Sequence, residues 1–419
     1  MYLGYRGKTI LFLSEVVCQN ADIELMLLPE DLAGVPGDIL MSDYEVWNGR
    51  PVLKAAPKPP QDLRVALVGV YRIQCGISTY CESLFPEIGS GVRDYQVFAE
   101  DAEDAAELPN VTRCWRRGQP LQRLVDQLIQ YNPDVILIEH EYGLFPDARH
   151  WLAMMGQLQR FRTIVKLHST YRHHPDKVIC EAACNEIVVH TQEAAQVLAA
   201  KGLKARIHCI PHGSSPCVSR ERFWNRYGSD HTLVQFGFGF HYKGWEQSLR
   251  AVAQLRQRYP DIFYTGLFSE SPFSRVFHAR YYQELEILIR QLGISEHVAL
   301  IRGFQSDASI DSFLRTNQVA IFPYIDNGVH TVYGCSGAAR VAMGAALPVV
   351  VSNVPLFADL EGVCPRVGTV DELCGAVEVL FSEPERRAQQ VDRQARFLDE
   401  TSWRAVAAQH LEVFGSVPP

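Results

Sequence analysis

Five short segments of this chain join a polar or glycine-rich turn to residues that can handle hydroxyls or anions. Glu139-His140-Glu141-Tyr142-Gly143 directly follows an apolar run at 135–138. An imidazole there can donate a hydrogen bond to a hydroxyl, and the flanking carboxylates can fix it or hold a second hydroxyl. The spacing is not that of an HExxH metal site, because no second histidine lies four residues on. His168-Ser169-Thr170 ends the next apolar run, so two neighbouring strand ends carry histidine. Gly76, in the turn 71–80, lets backbone approach an anion at a helix N-terminus, where unpaired N–H groups and the helix dipole favour negative charge. In the segment 236–244, Gly237 and Gly239 permit close backbone approach, and Lys243 supplies a cation that could stabilise a departing diphosphate. No third glycine completes a GxGxxG fingerprint. Finally, Ser336 suits a helix N-cap, and the free N–H groups around Gly337 would make a second anion site.

These turns need a scaffold that brings them to one rim. Residues 64–70 form a nearly continuous apolar run, as a parallel strand covered on both faces requires. Strands are expected at 95–99, 135–138, 163–167, 186–189 and 207–210, with helical stretches between them, notably 121–131 and 192–201. A second series begins near Thr232: strands at 233–236, 263–267, 298–301, 319–322 and 348–351, and helices at 245–256, 280–292, 310–316 and 336–345. Strands alternating with helices imply doubly wound parallel sheets. Two such halves leave a cleft between the carboxyl ends of their strands, where ligands of these folds bind. The expected division is an N-terminal extension of mixed β character at 1–60, with strands at 8–17 and 21–28 and a Pro/Lys-rich linker at 55–61. A Rossmann-like domain at 62–212, a second at 225–395 and a C-terminal helix at 396–419 crossing back to the first domain follow. Residues 211–227 would be the hinge.

The bulk properties agree with a two-domain globular protein. The chain has 419 residues, 47% hydrophobic and 21% charged, and exceeds what one core usually serves. A formal net charge of −8 argues against whole-surface attraction to nucleic acid or anionic lipid. The 11 cysteines show no CxxC pair. Cys180 and Cys184 lie four apart with no partner pair at zinc spacing, so reduced, buried thiols in a cytoplasmic setting are expected. No apolar run approaches the roughly 18 residues that would span a bilayer, and the short run 9–13 is no signal peptide. The expectation is a soluble chain, or one peripheral to a membrane.

Taken together, the segments resemble the retaining glycosyltransferase family 4 of the GT-B fold (glycosyl transferases group 1), from about Leu63 onward. The resemblance is carried by Cys75-Gly76-Ile77-Ser78-Thr79-Tyr80, Glu139-His140-Glu141-Tyr142-Gly143-Leu144-Phe145 and Val165-Lys166-Leu167-His168-Ser169. Ile210-Pro211-His212-Gly213, Tyr242-Lys243-Gly244, Phe322-Pro323-Tyr324, Cys335-Ser336-Gly337 and Leu347-Pro348-Val349-Val350 complete it. It implies an α/β GT-B fold: two facing Rossmann-like domains, an interdomain cleft and here a small N-terminal extension. It also implies a metal-independent enzyme that uses a nucleotide-sugar donor as substrate and needs no cofactor. His140 would contact the transferred sugar, with Glu141 beside it in the catalytic set. Gly76, Lys243, Ser336, Gly337 and Ala338 would hold the donor diphosphate, and Gly303 and Phe304 the base. Tyr142 and His168 would touch acceptor or sugar.

The chain departs from the family at two points. The Glu-x7-Glu element falls on Tyr333 and Val341, and the arginine that usually accompanies Lys243 is replaced by Gly237 or Phe238. The missing carboxylates motivate a second reading, a catalytically silent GT-B sugar-binding or scaffold subunit. A third reading changes the acceptor to modified bases of DNA and would need a basic strip from Arg113, Arg116, Arg117, Arg172 and His173. The net charge weighs against it. Donor sugar, base, acceptor and oligomeric state are not legible.

Overall fold

The computed structural model describes residues 2–5, 8–11, 44–47, 50–53, 58–102, 107–172, 186–203, 205–218, 228–270, 275–326, 328 and 331–416. The chain divides into two compact units, Met1–Ala56 and Pro57–Pro419. In the first, β1 (Tyr2–Tyr5) pairs antiparallel with β2 (Lys8–Leu11), and β3 (Tyr44–Trp47) with β4 (Arg50–Leu53). The strand expected at 21–28, most of the one at 8–17, and Cys180, Cys184 and His173 lie outside the described residues.

The second unit holds two parallel sheets. The first contains β5 (Arg64–Gly69), β6 (Asp94–Glu100), β7 (Val111–Trp115), β8 (Val135–His140), β9 (Arg162–Leu167), β11 (Glu186–Val189) and β12 (Arg206–Cys209), in the order β12-β11-β9-β8-β5-β6-β7. The second contains β13 (Thr232–Phe238), β14 (Phe263–Ser269), β15 (Val298–Arg302), β16 (Val319–Phe322), β18 (Val349–Ser352) and β19 (Arg366–Val367), in the order β15-β14-β13-β16-β18-β19. In both sheets the first strand lies inside and the order reverses beside it, between β5 and β8 and between β13 and β16. These are the topological switch points where such folds open a crevice.

Alternation along the strands decides which side chains meet. Ala66, Val68, Ile136, Ile138 and Val165 enter the core beneath the helix Gln122–Tyr131, with Trp151 and Phe145. Val65, Leu67, Val135, Leu137 and Ile164 enter the opposite core beneath the helix Gly76–Ser90. That second core also takes Val406, Ala407 and Phe414 from the helix Trp403–Gly415, so the last helix packs on the first sheet. Arg162 anchors it, donating to the carbonyls of Val413 and Phe414 at 2.7 Å each. The chain passes between the halves twice, and the two passages are tied: Ser214 N–H donates to Thr401 O at 2.8 Å, and Trp403 N–H to Ser214 O at 3.3 Å.

Strands β7, β19, β10 (Ser169–Tyr171) and β17 (Val332–Gly334) were not anticipated. The last two pair antiparallel with each other, so they join the halves. Three-residue strands carry too little pattern to be read alone, and this pair exists only because distant segments meet.

Candidate functional site

The carboxyl end of β8 splits its polar residues. Glu139 pairs in register with Lys166 and His140 with Leu167 on β9. Because successive side chains alternate, Glu139 faces the helix Gly76–Ser90 while His140 faces the other core. His140 is 0% exposed, stacked near Phe145 (5.6 Å between ring centroids) and edge-on to Trp151 (4.8 Å) and Tyr142 (5.2 Å). The sequence reading aimed this histidine at the cleft; the ring instead lies in an aromatic box beside the sheet. Glu141 lies at the rim, and one of its oxygens accepts the Tyr142 N–H at 3.0 Å. Tyr142 faces Tyr171 at 5.4 Å.

Glu139 anchors a polar cluster that was not foreseen. One oxygen is 2.8 Å from His168 Nε2 and the other 3.9 Å from the ammonium of Lys166. Lys166 is itself 0% exposed, donates to the Tyr80 hydroxyl and lies 3.0 Å from His410 Nε2. Burial pulls the Lys166 ammonium down to about 8, against the opposing effect of Glu139. Burial, then the Glu139 charge, pushes the Tyr80 phenol well above its usual value. Tyr80 lies one helical turn beyond Gly76 and is edge-on to His168 and His212, each at 4.8 Å.

His168, His190 and His212 form a row, with centroids 5.4 Å and 5.3 Å apart. They come from the ends of three successive strands, β9, β11 and β12. Burial holds His190 and His212 well below the ordinary imidazole range, and Lys166 and Arg340 respectively reinforce this. A histidine after each of three strands was a legible sequence signal. Only His168 had been singled out from it. Among the described residues no group of three or more His, Cys, Asp or Glu is arranged to hold a metal ion.

The row ends at the second half. A Cβ built on Gly337 would lie 3.7 Å from His212 Nε2. Gly337 opens the helix Gly337–Gly344, which Ser336 caps by accepting the Ala339 N–H at 3.3 Å; Ala338 lies in the same first turn. Ser336 is 4% exposed. Behind it, Arg340 pairs with Asp359, which keeps the guanidinium raised despite its burial.

Lys243 reaches the same place from the other side of the second switch point. It follows β13, Tyr324 follows β16, and Lys243 Nζ donates to the Tyr324 hydroxyl at 2.9 Å. The amine lies over the Tyr324 ring at 4.1 Å, and the Tyr324 hydroxyl also interacts with the Ser336 side chain. Two contacts hold the turn: Gln235 donates to Lys243 O at 2.9 Å, and Gly244 adopts φ +70° with Pro323 O pressed against it. Gly303 (φ +106°) and Phe304 (41% exposed) follow β15, two strands further out on this rim. Gly76 is exposed, with open space where a Cβ would stand.

The structure therefore brings Lys243, Ser336 and Gly337 together with Tyr80 and His168 of the first half. It sets His140 apart on the opposite face of β8. Tyr333, at the position of the first family carboxylate, is buried in the first half's core and accepts from Arg172 at 3.0 Å.

The overall arrangement, two doubly wound sheets with opposed switch points and a last helix returning to the first, has solved counterparts. The α,α-trehalose-phosphate synthase (UDP-forming) of Burkholderia xenovorans, in complex with glucose-6-phosphate, superposes with a TM-score of 0.64 at 11% identity, covering 84% of this chain and 100% of that one. The chain has the GT-B fold. Sucrose-phosphate synthase of Thermosynechococcus elongatus (TM-score 0.62, 14% identity, 84% and 98% covered) is similar to this GT-B chain. So is HepE of Anabaena in complex with UDP and glucose (0.63, 14%, 84% and 99%). No family model matches the sequence, and no curated protein matches it. Among the described residues of this GT-B chain no helix is long and apolar enough to cross a membrane.

Proposed function

We propose that this GT-B chain is a retaining glycosyltransferase related to family 4, moving a sugar from a nucleoside-diphosphate sugar to a hydroxyl acceptor. One observation carries the reading: Lys243, Tyr324 and Ser336 meet at the switch point of the second sheet, beside the amide-rich start of the helix Gly337–Gly344. A cation and unpaired N–H groups at one point suit a diphosphate, whose charge grows as it departs. The bond from the anomeric carbon to phosphate oxygen breaks, and the nucleoside diphosphate leaves with the electron pair. The acceptor oxygen bonds to that carbon from the same face, and its proton passes to the leaving phosphate. On this reading Gly76 borders the diphosphate, Gly303 and Phe304 hold the base, and Glu141 and Tyr142 meet acceptor or sugar. His140 supports the rim from beneath through its ring contact with Tyr142, and the site works in the cytoplasm.

The test is a thermal-shift series with UDP, GDP, ADP, CDP and dTDP, followed by hydrolysis of the matching nucleotide sugar. A ligand that binds only the folded state raises the melting point by mass action, about 2.7 kcal/mol at a hundredfold excess over Kd. One nucleotide should stand out. If none shifts the melting point or gives heat in calorimetry, the reading is wrong.

A second reading, a silent GT-B subunit, draws on Tyr333. Where the family keeps a carboxylate, a buried tyrosine on β17 joins the halves. Nucleotide binding without turnover would favour it. Of the basic strip that the DNA-base reading needs, Arg117 holds Glu100 at 2.7 Å and Arg116 pairs with Asp101, while Arg113 donates to the carbonyls of Glu100 and Tyr71 and Arg172 to Tyr333.

A further inference from the structure

The cluster beneath the first rim has an order that packing alone does not require. Lys166 presents ammonium protons to the Tyr80 hydroxyl, to His410 Nε2 at 3.0 Å and toward Glu139 at 3.9 Å. His410 Nδ1 lies 2.7 Å from Val406 O, and a carbonyl only accepts. His410 must therefore donate from Nδ1 and receive the lysine at Nε2, so it is neutral. Burial, then Lys166, holds it well below the usual imidazole range, in agreement. Among the described residues, Lys166 is the lysine set against Glu139, 3.9 Å away. An ionised Glu139 accepts only, so at 2.8 Å it takes the proton of His168 Nε2.

We propose that Glu139 and Lys166 are positioning residues: the buried pair holds His168 in its Nε2–H tautomer, so that Nδ1 meets a hydroxyl of the bound substrate as an acceptor. The clause about substrate rests on the glycosyltransferase reading; the tautomer does not. A carboxylate behind an imidazole is a general way to fix which nitrogen carries the proton. The Lys166 cation behind the carboxylate offsets part of the cost of burying its charge. The groups facing His168 come from every element around it. They are Glu139 on β8, Lys166 on its own strand, Tyr80 on the helix Gly76–Ser90 and His190 after β11. Beyond them stand His212, backed by Arg340 and Cys335 of the second half, and His410 on the last helix. The same row leads from His168 to Gly337, so the imidazole stands on the path between the first rim and the diphosphate turn.

The experiment is long-range proton–nitrogen NMR on the full chain labelled with ¹⁵N-histidine. The His168 ring is assigned by its loss in His168→Asn. The unaltered protein should show a neutral His168 as one tautomer, Nε2–H, with that proton slow to exchange with water. In Glu139→Gln the amide can present oxygen or nitrogen, so both tautomers should appear and exchange should quicken. In Lys166→Met the carboxylate loses the cation that holds it in place, so its grip on Nε2–H should loosen and both tautomers should again appear. A purely structural role would leave tautomer and protonation unmoved. An Nδ1–H tautomer in the unaltered protein overturns the proposal, as does an unchanged ring in folded Glu139→Gln. Should Lys166→Met not fold, those two results still decide. Calorimetry with the nucleoside diphosphates runs alongside, and both variants should bind within about twofold of the unaltered protein. No binding by any of the proteins counts against the transferase reading and leaves the ring measurement standing.

Discussion

Gly244→Ala tests whether the Lys243 turn is held by close backbone approach. Gly244 sits at φ +70°, and an ideal Cβ there would lie 1.8 Å from Pro323 O, a backbone atom with no rotamer to escape into. Gly362 offers a matched control: φ +73°, with no atom within 4 Å of its ideal Cβ. Both alanines suffer the left-handed strain, about 1–2 kcal/mol. Both recover about 0.4–1 kcal/mol because alanine narrows the unfolded ensemble. Gly362→Ala should therefore lose about 0–1.6 kcal/mol. Gly244→Ala must also displace a carbonyl between β16 and Tyr324, which adds about 1–3 kcal/mol by analogy with overpacked cores. At about 2–4 °C per kcal/mol for a domain of this size, its melting point should fall several degrees below that of Gly362→Ala. The assay is a thermal melt of both variants in one buffer, with nucleotide affinity measured on the folded fraction. Gly244→Ala should also weaken diphosphate binding, because Lys243 and Tyr324 flank the displaced carbonyl. Equal melting points would refute the close-approach reasoning.

Three further outcomes are expected. Lys243→Met removes a charged hydrogen bond of about 1.5–3 kcal/mol, so calorimetry should show nucleoside-diphosphate affinity falling roughly 10- to 150-fold with the melting point little changed. Arg340→Met leaves the Asp359 carboxylate without its partner and should cost about 3–5 kcal/mol in denaturant unfolding, with much of that recovered in the double variant that also carries Asp359→Leu. His190, His212 and His410 all have folded values held well below the unfolded value of about 6.5. Above that pH both states are neutral and stability is at its full level; as pH falls, only the unfolded state takes up protons. Melts from pH 7.5 to 5.5 should lose about 1 kcal/mol per pH unit for each such histidine below the unfolded value, and His190→Gln should flatten the slope.

Much of this protein is legible in one dimension. A run such as 65–70 with no polar position inside it reads as a strand covered on both faces, and strands alternating with helices twice over lead to two parallel sheets. The turn glycines and Lys243 could be placed because a strand-to-helix junction is local. Facing was decided elsewhere. Glu139 and His140 are neighbours in sequence, yet a strand's two-residue period sends one beneath the helix Gly76–Ser90 and the other into an aromatic box. Which of them belongs with Lys166 depended on the register of β8 against β9. Lys166 lies within the expected strand 163–167, and its burial follows only when Glu139, Tyr80 and His410, drawn from three distant segments, are folded around it. The union of β10 with β17 has the same character: each is too short to announce itself, and their hydrogen bonds arise only when the halves meet. Local periodicity specifies the elements because it depends on neighbours along the chain. Pairing, burial of charge and the line of histidines across the rim depend on neighbours in space.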